Sequence, residues 1–112
     1  MRERIRAVIA GPGAEDPERG AETLARAMRD AGMEVVYTER RQSPEQLVAT
    51  VVQEDADAIG LALPSGADPG PVDRVAGLLT EQGVDDVVVF RVVPRDAGPA
   101  EVVAWLRDRL GG

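Results

Sequence analysis

Apolar and polar residues follow one another along the chain in a repeating order of short apolar runs and helical stripes. Four apolar runs bounded by glycine, proline or acidic residues predict buried strands, at 5–10, 33–38, 57–63 and 85–93. Apolar residues spaced i, i+3, i+4 and i+7 predict a helix after each strand, at about 17–31, from 44 onward, 71–82 and 99–110. Strands and helices that alternate in this way predict right-handed crossovers and a parallel sheet.

The predicted fold class is α/β, a flavodoxin-like (Rossmann-like) three-layer sandwich. About four parallel strands are expected in the order 2-1-3-4, with helices on both faces. The 112 residues suffice for one domain, spanning 1–112. Ligands of open α/β sheets bind where the strand order reverses, here between the first and third strands. The loops 11–19 and 64–70 should therefore face each other at a ligand site.

The second helix has the clearest local start signal. Ser43 is the expected N-cap, Pro44 fits the first helical position, and Gln46 can complete a capping box. One apolar face is predicted to point into the core from Leu47, Val48, Val51 and Val52. In the last helix, Trp105 lies one position outside the main apolar stripe.

Composition excludes several chemistries. The net charge of −7 argues against nucleic acid and anionic membranes as partners. All thirteen basic residues are arginine, and the chain contains no lysine, cysteine or histidine. Schiff-base lysines, thiolate catalysis, disulfides, serine–histidine triads and histidine- or cysteine-bound metals are therefore excluded, and no metal site is expected.

The same composition, rich in alanine, glycine, valine and arginine, is typical of a GC-rich bacterial genome. No apolar run approaches the roughly 20 residues of a membrane span. The apolar stretch near the N-terminus is too short for a signal peptide. A cytoplasmic location is therefore expected.

Several segments match a known family in register: Pro12-Gly13, Arg19-Gly20-Ala21, "RAMRDAGMEVVYT", "RQSPEQLV", "QEDADAIG" and "SGA". Over roughly its first two thirds, the chain resembles the cobalamin-binding domain at the C-terminal end of methylmalonyl-CoA mutases. The resemblance implies a fold that holds cobalamin over the C-terminal ends of the strands. It also implies a cobalt-coordinating loop histidine in the pattern Asp-x-His-x-x-Gly. A Ser-x-Leu segment after the third strand and a Gly-Gly pair after the fourth would line the slot for the nucleotide tail.

The chain departs from this pattern at most of the ligand positions. Glu15 stands at the aspartate position and Pro17 at the histidine position, while Gly20 is kept. Arg91-Val92 stands where the two glycines belong. The positions that correspond to the family's cobalamin site are Gly13, Pro17, Gly20, Ala62, Pro64, Ser65 and Gly66.

The departures predict that histidine-on cobalamin binding is lost. Proline has no atom that could coordinate cobalt, and no histidine elsewhere can replace it. Only "PRDAGPAE" separates the fourth strand from the last helix, where the family has a further helix and strand. No cofactor is expected, apart from base-on cobalamin, a form that needs no histidine.

Two functional hypotheses follow. The first is an accessory module that binds a small ligand or a protein, and that pairs with itself or a partner through its exposed fourth strand and last helix. The second is a small cofactor-independent isomerase, cyclase or lyase. In it, Glu15, Asp16 and Asp68 act as acid and base and Arg91 holds an anion. A simpler interpretation is that these acids only favour helix N-termini electrostatically.

Overall fold

Strands and helices alternate through the described part of the chain. A computed structural model describes residues 4–10, 18–38, 42–62, 70–84, 86–92 and 99–110. These contain β1 (Arg6–Ala10), α1 (Glu18–Asp30), β2 (Glu34–Thr38), α2 (Pro44–Glu54), β3 (Ala58–Ala62), α3 (Gly70–Glu81), β4 (Val88–Val92) and α4 (Pro99–Leu110). The strands form one parallel sheet in the order β2-β1-β3-β4. The predicted α/β class and the strand order are confirmed.

Two apolar layers cover the sheet, one on each face. Because successive strand residues point to opposite faces, each strand contributes to both layers. On one face, residues of α1 and α4 and of the strands form a buried cluster that includes Ala7, Ile9, Leu24, Met28, Ala58, Phe90, Val103 and Leu106. On the other face, residues of α2 and α3 and of the strands form a second cluster that includes Val8, Leu47, Val48, Val51, Ile59, Leu61, Val75 and Leu79. The core is almost entirely aliphatic, as the composition predicts.

Two predictions about individual elements are wrong in detail. Val52 was expected on the buried face of α2 but is 49% exposed, because the contact of α2 with the sheet is narrower than its apolar stripe. The fourth strand was expected to be the longest, from 85, but it begins at Val88 and has five residues, like the others. Its pairing starts at Val88 because the partner strand starts at Ala58.

The predicted start of α2 is confirmed in detail. The Ser43 hydroxyl accepts a hydrogen bond from the Gln46 backbone N–H at 3.1 Å. The Gln46 side-chain oxygen accepts one from the Ser43 backbone N–H at 2.9 Å. The two bonds satisfy N–H groups that have no partner within the helix.

Polar contacts of Arg6 and Asp57 connect the N-terminal ends of neighbouring strands. The Arg6 guanidinium donates to the Glu54 carbonyl oxygen at 2.7 Å and to the Glu34 carboxylate at 3.1 Å. The Asp57 carboxylate accepts from the Arg6 backbone N–H at 2.9 Å. Arg6 therefore links β1, β2 and the end of α2 at the edge opposite the expected ligand site.

Among the helices that the structure describes, none combines the length and the apolar character needed to span a membrane.

Candidate functional site

The C-terminal ends of β1 and β3 lie side by side. Ala10 and Leu61 are register partners near the ends of these two strands. β1 and β3 therefore end at neighbouring positions in the sheet, with β2 and β4 on either side. The predicted reversal of strand order between the first and third strands is confirmed.

The described residues include part of the predicted site. Gly20 lies in the first turn of α1, and Ala62 is the last residue of β3. Ala62 is the register partner of Val92, and Leu61 is the register partner of Arg91. Positions 62, 91 and 92, which the resemblance assigns to the tail slot, therefore lie at the paired ends of β3 and β4. The other predicted site residues lie outside the described residues: Gly13, Glu15, Asp16, Pro17, Pro64, Ser65, Gly66 and Asp68.

The acid–base hypothesis accordingly stays a prediction. Its three carboxylates, Glu15, Asp16 and Asp68, lie outside the described part of the chain. Arg91, its anion-holding residue, is described and its side chain is exposed on β4.

The Phe90 ring covers the sheet next to Leu61 and Arg91, one residue further from the C-terminal ends of β3 and β4. Gly60 and Phe90 are register partners in β3 and β4. A Cβ atom on residue 60 would come within 2.5 Å of two carbon atoms of the Phe90 ring. The ring therefore occupies the space that the missing side chain of Gly60 leaves free. Phe90 itself is only 8% exposed.

The Trp105 side chain contacts the Phe90 ring. The two ring centroids are 5.9 Å apart with planes at 65°, an edge-to-face contact. The Arg109 guanidinium stands 5.2 Å from the centroid of the Trp105 ring, within the range of a cation–π interaction. Trp105 nevertheless remains 41% exposed.

A shallow cleft of about 320 Å³ opens beside these rings, lined by Phe90, Arg91, Glu101, Val102 and Trp105. Its walls are mainly apolar, with a guanidinium and a carboxylate at the rim. Sequence reasoning missed Phe90 as a site residue. A glycine inside a buried strand is a signal for close approach of another group, and Gly60 carries it. In the described part of the chain, no group of three acidic residues, histidines or cysteines is arranged to hold a metal ion.

Comparison with known proteins gives the family. The model of the B12 binding domain matches residues 5–90, which is most of the chain. The chain belongs to the B12-binding domain family. The predicted resemblance to mutase cobalamin domains is thereby confirmed, and the matched range contains β1 to α3 and the start of β4.

Mutase proteins are among the relatives of this B12-binding domain. The 2-hydroxyisobutanoyl-CoA mutase small subunit of Aquincola tertiaricarbonis is 40% identical over 86 residues, which is 77% of this chain and 63% of that protein. The ethylmalonyl-CoA mutase of Methylorubrum extorquens is 38% identical over 87 residues, or 13% of its length. The pivalyl-CoA mutase small subunit of Xanthobacter autotrophicus is 36% identical over 58 residues, covering 52% of this chain and 39% of that protein.

A solved structure supports the fold. A de novo designed Rossmann fold protein matches with a TM-score of 0.54 and 17% identity, covering 94% of this chain and 95% of the other. At that identity the likeness concerns the fold alone.

The residues of this B12-binding domain do not fit a cobalamin held by histidine. The sequence contains no histidine. The thioethers of Met28 and Met33 are buried, and Met33 precedes β2, at the edge opposite the expected site. The surface of β3 at Gly60 is already covered by the Phe90 ring. The chain therefore has no imidazole of its own to coordinate cobalt in the histidine-on mode.

Proposed function

We propose that this B12-binding domain acts as an accessory small subunit of a mutase-type assembly and binds its protein partner through β4 and α4. In this proposal it does not hold cobalamin through a histidine. The observation that carries the proposal is the exposure of Trp105 beside an edge strand. Two of its relatives carry the name of mutase small subunits, which points to the same role.

The first support comes from β4. Within the described sheet, β4 pairs with β3 and is the last strand in the order. An edge strand presents backbone N–H and C=O groups that can pair with a strand from another chain. The family resemblance implies a further helix and strand where this chain has only residues 93–98 between β4 and α4. A partner chain would supply the cover that the shortened chain lacks.

The second support is the composition of the neighbouring surface. We call Phe90, Arg91, Val102, Trp105 and Arg109 the β4–α4 surface. Tryptophan and arginine are enriched among the residues that contribute most to the free energy of protein association. Arg91 lines the apolar cleft together with Glu101, and Arg109 stands over the Trp105 ring, in a chain whose net charge is −7. A partner that presents an apolar side chain bordered by carboxylates matches this surface.

The test measures binding of the purified chain to the mutase large subunit encoded in the same genome, by isothermal titration calorimetry. We expect Trp105→Ala to weaken binding about tenfold or more, as at other interface tryptophans. Val52→Ala is the control, because Val52 is an exposed apolar residue (49%, against 41% for Trp105) but lies on α2, on the other face of the sheet. Absence of binding, or equal effects of the two substitutions, would overturn the proposed partner surface.

Light scattering on the isolated chain separates a second copy from a mutase partner. We expect a monomer at micromolar concentration. A dimer that Trp105→Ala dissociates would make the partner another copy of this chain and would contradict the mutase assembly.

A visible-spectrum titration with hydroxocobalamin and adenosylcobalamin, followed by desalting, tests the cofactor part. We expect the desalted protein to be colourless. Retained colour with a base-on spectrum would replace this part of the proposal by base-on cobalamin binding.

A further inference from the structure

We propose that Phe90 determines ligand specificity by filling the space over Gly60 on the α1–α4 face of the sheet, where a flat ring could otherwise lie against β3. The Phe90 side chain occupies the position that such a ring would take, so a ligand ring cannot bind there. The inference rests on the proposed absence of histidine-held cobalamin and explains how the sheet face is closed to the nucleotide tail.

The contact between Phe90 and Gly60 carries the argument. Three atoms of the Phe90 ring lie within 3.1 Å of the position that a Cβ on residue 60 would have, and two of them lie at 2.5 Å. No side chain can stand between the ring and the backbone of β3. Glycine in a strand interior allows this close approach of a planar group. The site is thus shaped for a flat ring and already contains one.

The location of this contact connects it to the ligand edge. Gly60 and Phe90 pair one step inside Leu61 and Arg91, and two steps inside the ends of both strands. The family's tail slot is implied to be lined by the segments that follow these same two strands. Phe90 therefore lies two residues from the C-terminal ends of the paired strands, on the sheet surface that such a ring would have to occupy.

Side chains of α4 hold Phe90 in this position. Val103 and Leu106 belong to the same buried cluster, and Trp105 contacts the ring edge-to-face. Because protein interiors are densely packed, the ring can leave Gly60 only if α4 or its side chains move. The folded chain therefore keeps the sheet surface at Gly60 covered.

The experiment measures binding of free benzimidazole to the full chain and to Phe90→Ala by ¹⁵N NMR, following the Gly60 amide. An apolar cavity left by removal of a large side chain binds small aromatic molecules. We expect no saturable shift in the parent chain and a dissociation constant of about 1 mM or below in Phe90→Ala. Leu79→Ala is the control, because it removes a buried side chain from the opposite face.

Binding to Phe90→Ala alone, with shifts at Gly60, would support the inference. A folded Phe90→Ala chain that does not bind benzimidazole would overturn it, as would an equal shift of the Gly60 amide in the parent chain or in Leu79→Ala. If Phe90→Ala does not fold, Phe90→Val, which removes less volume, is measured against the same criteria. These results concern free benzimidazole and Phe90, so they are independent of the partner titration and of colour retention by the parent chain.

Discussion

Gly60 and Phe90 form a cross-strand pair in which the aromatic ring replaces the side chain that glycine lacks. Such a pair leaves no room for even a methyl group on residue 60. The structural roles of the two residues are therefore tied to each other, although they are 30 positions apart.

Gly60→Ala is expected to destabilise the fold by about 1–3 kcal/mol, because the new Cβ would force the Phe90 ring out of its packed position. Gly77→Ala is the control, since a Cβ at Gly77 in α3 meets nothing within 4 Å. Alanine is a better helix former than glycine, so we expect that control to stabilise by about 0.5–1 kcal/mol. Urea unfolding measures both, and equal effects would contradict the described contact.

The same contact predicts a coupling between the two positions. In a Phe90→Ala background, the added methyl group of Gly60→Ala should cost at least about 1 kcal/mol less, because its obstacle is gone. The free energies of unfolding of the parent, both single variants and the double variant give the coupling. Additive effects would mean that the ring does not contact residue 60.

We expect Arg6 to contribute more to the free energy of unfolding than its ion pair with Glu34 alone would contribute. Arg6→Ala removes the pair with Glu34 and also the bond to the Glu54 carbonyl oxygen, and we expect a loss of about 1–2 kcal/mol. Glu34→Ala removes only the partly exposed pair, which contributes at most about 1 kcal/mol. Chemical denaturation of the two variants checks this order. A larger loss for Glu34→Ala would contradict the role assigned to the carbonyl bond.

The N-cap of α2 predicts how much free energy of unfolding the Ser43 side chain contributes. Ser43→Ala removes the hydroxyl that accepts the Gln46 N–H, and we expect a loss of about 1 kcal/mol in the free energy of unfolding. Ser43→Asp keeps an acceptor at the same position and should retain most of the stability. A full loss in Ser43→Asp as well would show that the hydroxyl is not acting as a cap.

Glu45 in the first turn of α2 has a pKa lowered from 4.5. The largest cause is a hydrogen bond from its own backbone N–H, and the next is the hydrogen bond from Arg74, whose guanidinium lies 3.0 Å from the carboxylate. A carboxyl whose pKa is depressed on folding stabilises the protein above its unfolded pKa. That contribution is lost as the pH falls through the folded pKa.

An NMR titration of Glu45 in the parent chain and in Arg74→Gln tests these causes. The pKa should rise in the variant but stay below 4.5, because the backbone hydrogen bond remains. An unchanged pKa would exclude Arg74 as a cause, and a full return to 4.5 would exclude the backbone contribution.

Much of the fold was accessible from the sequence because its signals are local. The apolar periods, the Ser43 capping box and the strand–helix alternation each depend on residues within one or two turns of each other, and the structure confirms them. The length of β4 was wrong because it depends on where β3 begins, and β3 is distant in sequence. The exposure of Val52 was also missed, since periodicity gives the direction of a helical face but not the width that the sheet covers.

The candidate site was harder to predict from the sequence, because its contacts join residues that are distant in sequence. Arg91 could be selected because its position matched a family motif, whereas Phe90 matched nothing in that motif. Its importance depends on a glycine on the neighbouring strand and on an aromatic side chain of α4. Such a three-element contact has no local pattern that could predict it.

Because α4 contacts α1 and also covers Phe90, binding of a protein to α4 and binding of a molecule to the sheet face can influence each other. The Arg107 guanidinium donates to the Ala31 carbonyl oxygen just beyond α1 at 2.7 Å, so α4 is attached to α1 while it also covers Phe90. A protein that binds better to a displaced α4 would make the sheet face more accessible. By thermodynamic reciprocity, a molecule that occupies that face would strengthen the protein's binding by the same factor.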